Sequence, residues 1–152
     1  MGARRNAAEG FTLLETLIAL AVVALLLAVA VPALIVPPGV QLRTASELVA
    51  TGLRQARLTA VRQQRPVALL LDVDKRLLQV EGGRRVRQLP AEVGLQLDTA
   101  QGEIFGPRTG GIRFYPDGSS TGGRVTLTLE GLETQVDVEW LTGRVRVRET
   151  GA

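Results

Sequence analysis

Three regimes of hydrophobic patterning follow one another along the chain. From Leu17 to Val31 apolar residues run without interruption, and the apolar character continues past Pro32 to Val36. Taken as a helix from Phe11 to Ile35, this stretch would reach roughly 37 Å at ~1.5 Å per residue, enough to cross a ~30 Å hydrocarbon core. Pro37-Pro38-Gly39 then breaks the pattern, because two backbone donors are missing and a flexible glycine follows.

From Leu42 to Gln64 the spacing turns helical: Leu42, Ala45, Val49, Gly52, Leu53, Ala56 and Ala60 fall on one stripe. Arg43, Glu47, Arg54 and Arg62 lie away from it, and Leu58 projects nearly opposite. Pro66 is expected to stop this helix, and the period becomes strand-like. Val67 to Asp72 and Arg76 to Val80 read as a hairpin around Asp74 and Lys75. Gly82-Gly83 is a further turn, and Leu89 through Leu97 is a weaker strand candidate. Residues 99–111, centred on Ala100 to Gly110, read as a variable loop. Ile112–Tyr115, Arg124–Glu130, Gln135–Trp140 and Arg144–Arg148 each show one apolar face, with Val136, Val138 and Trp140 on one side of their strand. Such alternation predicts an antiparallel sheet covered on one side by a helix.

The 152 residues leave room for one domain besides the apolar segment. There is no cysteine and no histidine, which removes thiol or imidazole nucleophile-base pairs, thiolate zinc sites and imidazole proton shuttles. Neither enzymatic chemistry, a metal nor a cofactor is expected. The net charge of +3 is slight, and Lys75 is the only lysine, so charge alone identifies no partner. Arg4 and Arg5 precede the apolar run while only Arg43 follows it closely, which places the leader in the cytoplasm and the rest across the membrane.

Glu15 is the anomaly. A carboxylate in an apolar spanning segment costs about 2.5 to 3.5 kcal/mol on insertion scales, and no cation stands near it in sequence. Cleavage between Gly10 and Phe11 would create an α-amine, mostly charged at neutral pH, four residues before Glu15. An axially displaced second copy could then offer that amine to the carboxylate. An ordinary secretory signal is the competing reading, since Ala28-Val29-Ala30 is a small-x-small pattern after a basic start.

Gly10-Phe11-Thr12-Leu13-Leu14-Glu15 resembles the type III signal of type IV pilins and of the pseudopilins of type II secretion systems. The resemblance implies that a prepilin peptidase cuts after Gly10 and methylates the Phe11 amine, that Glu15 serves assembly, and that Pro32 kinks the helix. Further on, Phe114-Tyr115-Pro116-Asp117-Gly118-Ser119-Ser120-Thr121-Gly122-Gly123 lacks the lysine and helix start of a phosphate-binding loop, while Pro116 and Gly118 suit a type I turn. Together with Trp140-Leu141-Thr142-Gly143-Arg144-Val145 it is similar to the GspH/FimT-like domain of H-type minor pseudopilins. Asp72 and Asp74, which might suggest calcium ligands, are explained by turn chemistry.

The resemblance implies an α+β, pilin-like fold: a long N-terminal helix, membrane-spanning in its first half, packed on a C-terminal antiparallel β-sheet domain. Residues 1–10 would be the leader peptide, 11–36 the transmembrane and assembly helix, 37–65 the second half of the N-terminal helix, and 66–152 the periplasmic sheet domain. The implied role is a minor pseudopilin near the tip of the periplasmic pseudopilus, supporting protein export across the outer membrane. Its implied partners are the prepilin peptidase, other major and minor pseudopilins and the inner-membrane assembly platform. Because tip subunits of the family typically lack the glutamate, Glu15 suggests a place beneath the extreme tip. The alternative is a FimT-like minor type IV pilin that binds DNA for uptake through Arg144, Arg146 and Arg148. Alternating charges on a terminal strand more often form a solvated or edge-protecting face, and a nucleic-acid partner is not expected.

Overall fold

The computed structural model describes residues 12–33 and 36–150, without the side chains of 29–33. Two compact units divide the chain, Met1–Val36 and Pro37–Ala152. The first contains α1, Leu13–Ala33. Leu13, Leu14, Leu17, Ile18, Leu20, Leu25 and Leu26 are all more than half exposed, so α1 is apolar around its circumference with no face turned to a core of its own. Among the described residues, whose side chains in α1 end at Ala28, no helix is long and apolar enough to cross a membrane.

The second unit begins with α2, Pro38–Gln63. The Pro37-Pro38-Gly39 break therefore starts a helix four residues before the apolar stripe does. Proline is well placed at the first helical position, where its fixed φ is already helical and its missing N–H would have had no intrahelical acceptor. The Pro37 carbonyl accepts from Val40 N and Gln41 N at 3.0 and 3.1 Å. Gln64, in the left-handed conformation at φ 50°, ends the helix two residues before Pro66. All seven residues of the expected stripe are buried, together with Ser46 and Ala50, and Leu58 is exposed on the far side. Small residues let the helix approach closely: a Cβ on Gly52 would lie 3.1 Å from Leu69 Cδ1.

Among the described residues nine strands follow, β1 Val67–Asp72, β2 Leu77–Val80, β3 Val86–Gln88, β4 Gly94–Thr99, β5 Ile104–Gly106, β6 Thr109–Phe114, β7 Gly123–Leu129, β8 Leu132–Val138 and β9 Val145–Thr150. They form two antiparallel sheets, ordered β3-β2-β1-β6-β5 and β4-β7-β8-β9, where the alternation had suggested one. α2 packs on strands of both sheets, over a core that includes Leu53, Leu69, Ile112, Phe114, Leu127 and Val136. Thr99 Oγ1 donates to the Gly111 carbonyl at 2.6 Å and ties the end of β4 to β6.

Residues 99–111 are not a loop. They hold the end of β4, a 3₁₀ turn at Gln101–Glu103, the short strand β5 and the start of β6. Ile104 and Phe105 are both more than half exposed, so β5 carries no buried apolar face that would have produced a readable alternation. Trp140 also departs from expectation: β8 ends at Val138 and the indole is 65% exposed. The chain turns at Glu139, whose N–H donates to Arg144 O while its own carbonyl accepts from Gly143 N, and a turn ends the strict alternation of faces.

Candidate functional site

Gly10 and Phe11, the expected cleavage residues, lie outside the described residues. The helix immediately after them is described. Thr12 precedes α1 and accepts on Oγ1 from the Glu15 backbone N–H at 3.2 Å, the contact an N-cap residue makes to the third helical position. Thr12-Leu13-Leu14-Glu15 has the spacing of a capping box, a signal legible in the chain itself. Glu15 is the acidic residue of the first turn and is exposed, near the partial positive end of the helix dipole. A local helix-starting role thus accompanies its charge.

The two segments that carry the GspH/FimT-like resemblance meet in space. Tyr115 to Gly118 closes a turn in which Gly118 N donates to Tyr115 O at 2.9 Å. Asp117 Oδ1 accepts from Ser119 Oγ at 2.6 Å and Ser119 N at 2.9 Å. Those two bonds, the hydroxyl's first, hold the Asp117 carboxyl below the usual carboxylate range. Gly143 packs against this turn at φ 60°, where a Cβ would collide with the Gly118 carbonyl oxygen. From α2, Arg57 Nε donates to that same oxygen at 3.1 Å. The shared motif is therefore a brace between helix, turn and β9 rather than a phosphate cradle.

Arg144, Arg146 and Arg148 are brought together on the outer face of β9. They line a groove of about 640 Å³ with Arg124, and also with Asp98, Asp137 and Glu139. Four guanidiniums thus face three carboxylates. Arg124 Nε donates to Asp137 Oδ1 at 2.6 Å, a bond that raises the Arg124 pKa, and Arg148 Nε lies 3.3 Å from Asp137 Oδ2 as an ion pair without hydrogen-bond geometry. Arg144 and Arg146 form no salt bridge among the described residues.

Missed by sequence reasoning is the charge cluster around Arg113 in β6. Arg113 Nε reaches Glu103 Oε1 at 2.7 Å and Nη1 reaches Glu81 Oε2 at 2.9 Å, and Glu81 Oε2 also accepts from Ala68 N at 3.0 Å. Glu103 is buried, and its bond to Arg113 is the main cause raising the Arg113 pKa. The partners lie 32 and 10 residues from Arg113, with no local spacing to reveal them. Asp72 Oδ1 accepts from Lys75 N at 2.9 Å and Asp74 pairs with Arg108 at 2.8 Å, as turn and ion-pair groups do. Among the described residues no group of three acidic side chains is arranged to hold a metal.

A family model described as "Type II transport protein GspH" matches residues 45–143, and one described as "Prokaryotic N-terminal methylation motif" matches residues 5–31. The chain is 36% identical over 143 residues to the type II secretion system protein H of Xanthomonas campestris pv. campestris, covering 93% of this chain and 84% of that protein. Two solved structures share the fold. The minor pseudopilin EpsH of Vibrio cholerae has a TM-score of 0.57 at 14% identity, covering 74% of this chain and 99% of that one. The type IV minor pilin FimU of Pseudomonas aeruginosa has a TM-score of 0.55 at 17% identity, covering 70% and 87%. The α+β architecture is thus that of pilin-like proteins. With a family match across most of the folded domain and a methylation motif at the start, the chain belongs to the type II transport protein GspH family.

Proposed function

We propose that this chain is made as a precursor crossing the bacterial inner membrane once, its residues 1–10 cytoplasmic, and that a prepilin peptidase cuts between Gly10 and Phe11 and methylates the new Phe11 amine. The product is a minor pseudopilin of the type II secretion system, a structural subunit and not an enzyme. It joins other pseudopilins in an envelope-associated pseudopilus that supports export across the outer membrane. Residues 11–36 serve as the spanning and assembly helix, 37–65 as its continuation, and 66–152 as the periplasmic domain. The inner-membrane assembly platform delivers the subunit to a position near the tip.

The observation that carries this reading is Glu15, exposed in the first turn of a helix that is apolar all round. α1 has 21 residues and is about 31 Å long at ~1.5 Å per residue. Such a helix buries its surface only in lipid or among other helices, and among them Glu15 needs a cation, which the cleaved amine of a neighbouring copy supplies. Glu15→Ala is expected to leave the protein in the membrane fraction and to abolish co-purification with sibling pseudopilins. Co-purification at wild-type levels overturns the assembly role. Mass spectrometry of the mature amino terminus should find methylated Phe11, whereas a terminus at Val31 would mean an ordinary signal peptide.

The second reading, DNA uptake through Arg144, Arg146 and Arg148, has less support. Three carboxylates share their groove, and Arg148 is engaged by Asp137.

A further inference from the structure

The free edge of β9 separates two grooves of different chemistry. β9 is the last strand of its sheet and pairs only with β8, so one side of its backbone has no strand partner among the described residues. On the outer face stand Arg144, Arg146 and Arg148, all exposed. On the inner face Val145 and Val147 pack against the core, and beside them runs a groove of about 830 Å³ between α2 and the start of β9. Its wall includes Leu58 and Val61, 49% and 38% exposed, and its rim carries Arg54. Arg144 borders both grooves, as a residue at a sheet edge should.

We infer that β9 accepts an added strand from another protein, an extended segment in which apolar and acidic residues alternate. Strand addition satisfies the unpaired backbone groups, and pockets for alternate side chains supply the specificity. Inward side chains of the added strand continue the row of Val145 and Val147 at the mouth of the groove beside α2, whose lining offers the apolar Val61, Pro116 and Leu58 along with Arg54, Arg57 and Asp117. Outward ones stand beside Arg144 and Arg146, two of the outer groove's four arginines and neither in a salt bridge among the described residues, where carboxylates fit. A second copy of this chain is disfavoured by the same arginines, because two β9 edges laid together would oppose like charges. This partner chemistry goes beyond filament membership, and its test does not depend on filament assembly.

The test uses the full chain in detergent and a fluorescent synthetic peptide of about eight residues alternating leucine and glutamate, an ordinary strand length. Saturable binding is expected, together with slowed amide exchange within Val145–Thr150. Arg144→Glu plus Arg146→Glu should weaken it about tenfold or more, as should replacing the peptide's glutamates by lysine. Leu58→Asp, on the exposed side of α2, should weaken it while leaving the thermal melt unchanged. No saturable binding overturns the inference. So does equal binding of a peptide with its leucines and glutamates in separate blocks, which would reduce the effect to net charge. Displacement of the peptide by short duplex DNA at equal concentration would assign the face to nucleic acid instead.

Discussion

Arg57 donates from Nε to the carbonyl oxygen of Gly118 at 3.1 Å, joining the exposed side of α2 to a turn 61 residues away. Gly143 closes on the same carbonyl beside the Arg57 side chain, where a Cβ would also lie 2.9 Å from Arg57 Nε, so helix, turn and the entry to β9 meet at one backbone oxygen. The family resemblance of both segments thus has a mechanical meaning: they set where β9 begins relative to α2.

Gly143→Ala should be the more damaging change at this brace. It forces a side chain into a left-handed position, about 1 to 3 kcal/mol, and in addition into the Gly118 carbonyl. Arg57→Ala should cost about 1 kcal/mol, the scale of one partly exposed hydrogen bond. Urea denaturation of the two variants checks the order, and a larger loss for Arg57→Ala would contradict the assignment.

The cluster around Arg113 should dominate the electrostatic stability of the domain. Arg113→Met leaves the buried Glu103 carboxylate unpaired and is expected to cost about 2 to 3 kcal/mol, while Glu103→Gln, whose amide oxygen still accepts, should cost about 1 kcal/mol. The Arg113 pKa is raised above the ordinary guanidinium value, first by its bond to Glu103, so its contribution is complete below that ordinary value and is lost only as pH rises through the still higher folded one. The difference in melting temperature between Arg113→Met and wild type should therefore stay constant from neutral to about pH 10.

Asp117 sets an acid-side signature. Its pKa is lowered from 3.8 by the Ser119 hydroxyl and then the Ser119 N–H, so its stabilisation is present above 3.8 and disappears as pH falls through the folded value. The wild-type advantage over Asp117→Asn in urea midpoints should shrink across that acid window. A difference unchanged at low pH would show that charge is not what the turn uses.

Glu15→Gln separates the two roles of that residue. The Thr12 cap is made to the backbone N–H of residue 15, so glutamine leaves it intact while removing the charge, and α1 should form and insert as in the wild type. Loss of co-purification in this variant, as in Glu15→Ala, is expected if the neighbour's amine needs a carboxylate. Rescue by glutamine would show that assembly does not need a carboxylate at this position.

DNA binding by the β9 arginines should be weak and shallow in salt. With Arg148 and Arg124 engaged by Asp137, the two guanidiniums of Arg144 and Arg146, in no salt bridge among the described residues, give a salt slope of about −1.8, against about −2.7 for three contacts. A mobility-shift series over salt concentration measures it. A slope of −2.7 or steeper that vanishes in Arg144→Ala plus Arg146→Ala would favour the uptake reading.

What the chain declared in its own order was whatever repeats at short range. The seven-residue stripe of α2, the edges of β1, the alternation of β7 and the signal around Gly10 and Glu15 need only neighbours within a turn or two to be recognised, because side-chain direction follows backbone period. Tertiary structure alone decided the division into two sheets, the hairpin of β5 and β6, the exposure of Trp140 and the pairing of Arg113 with Glu81 and Glu103. Those outcomes depend on which distant groups meet. Strands without a buried face leave no period, and an ion pair spanning 32 residues leaves no spacing, so neither exists as a pattern until the chain has folded.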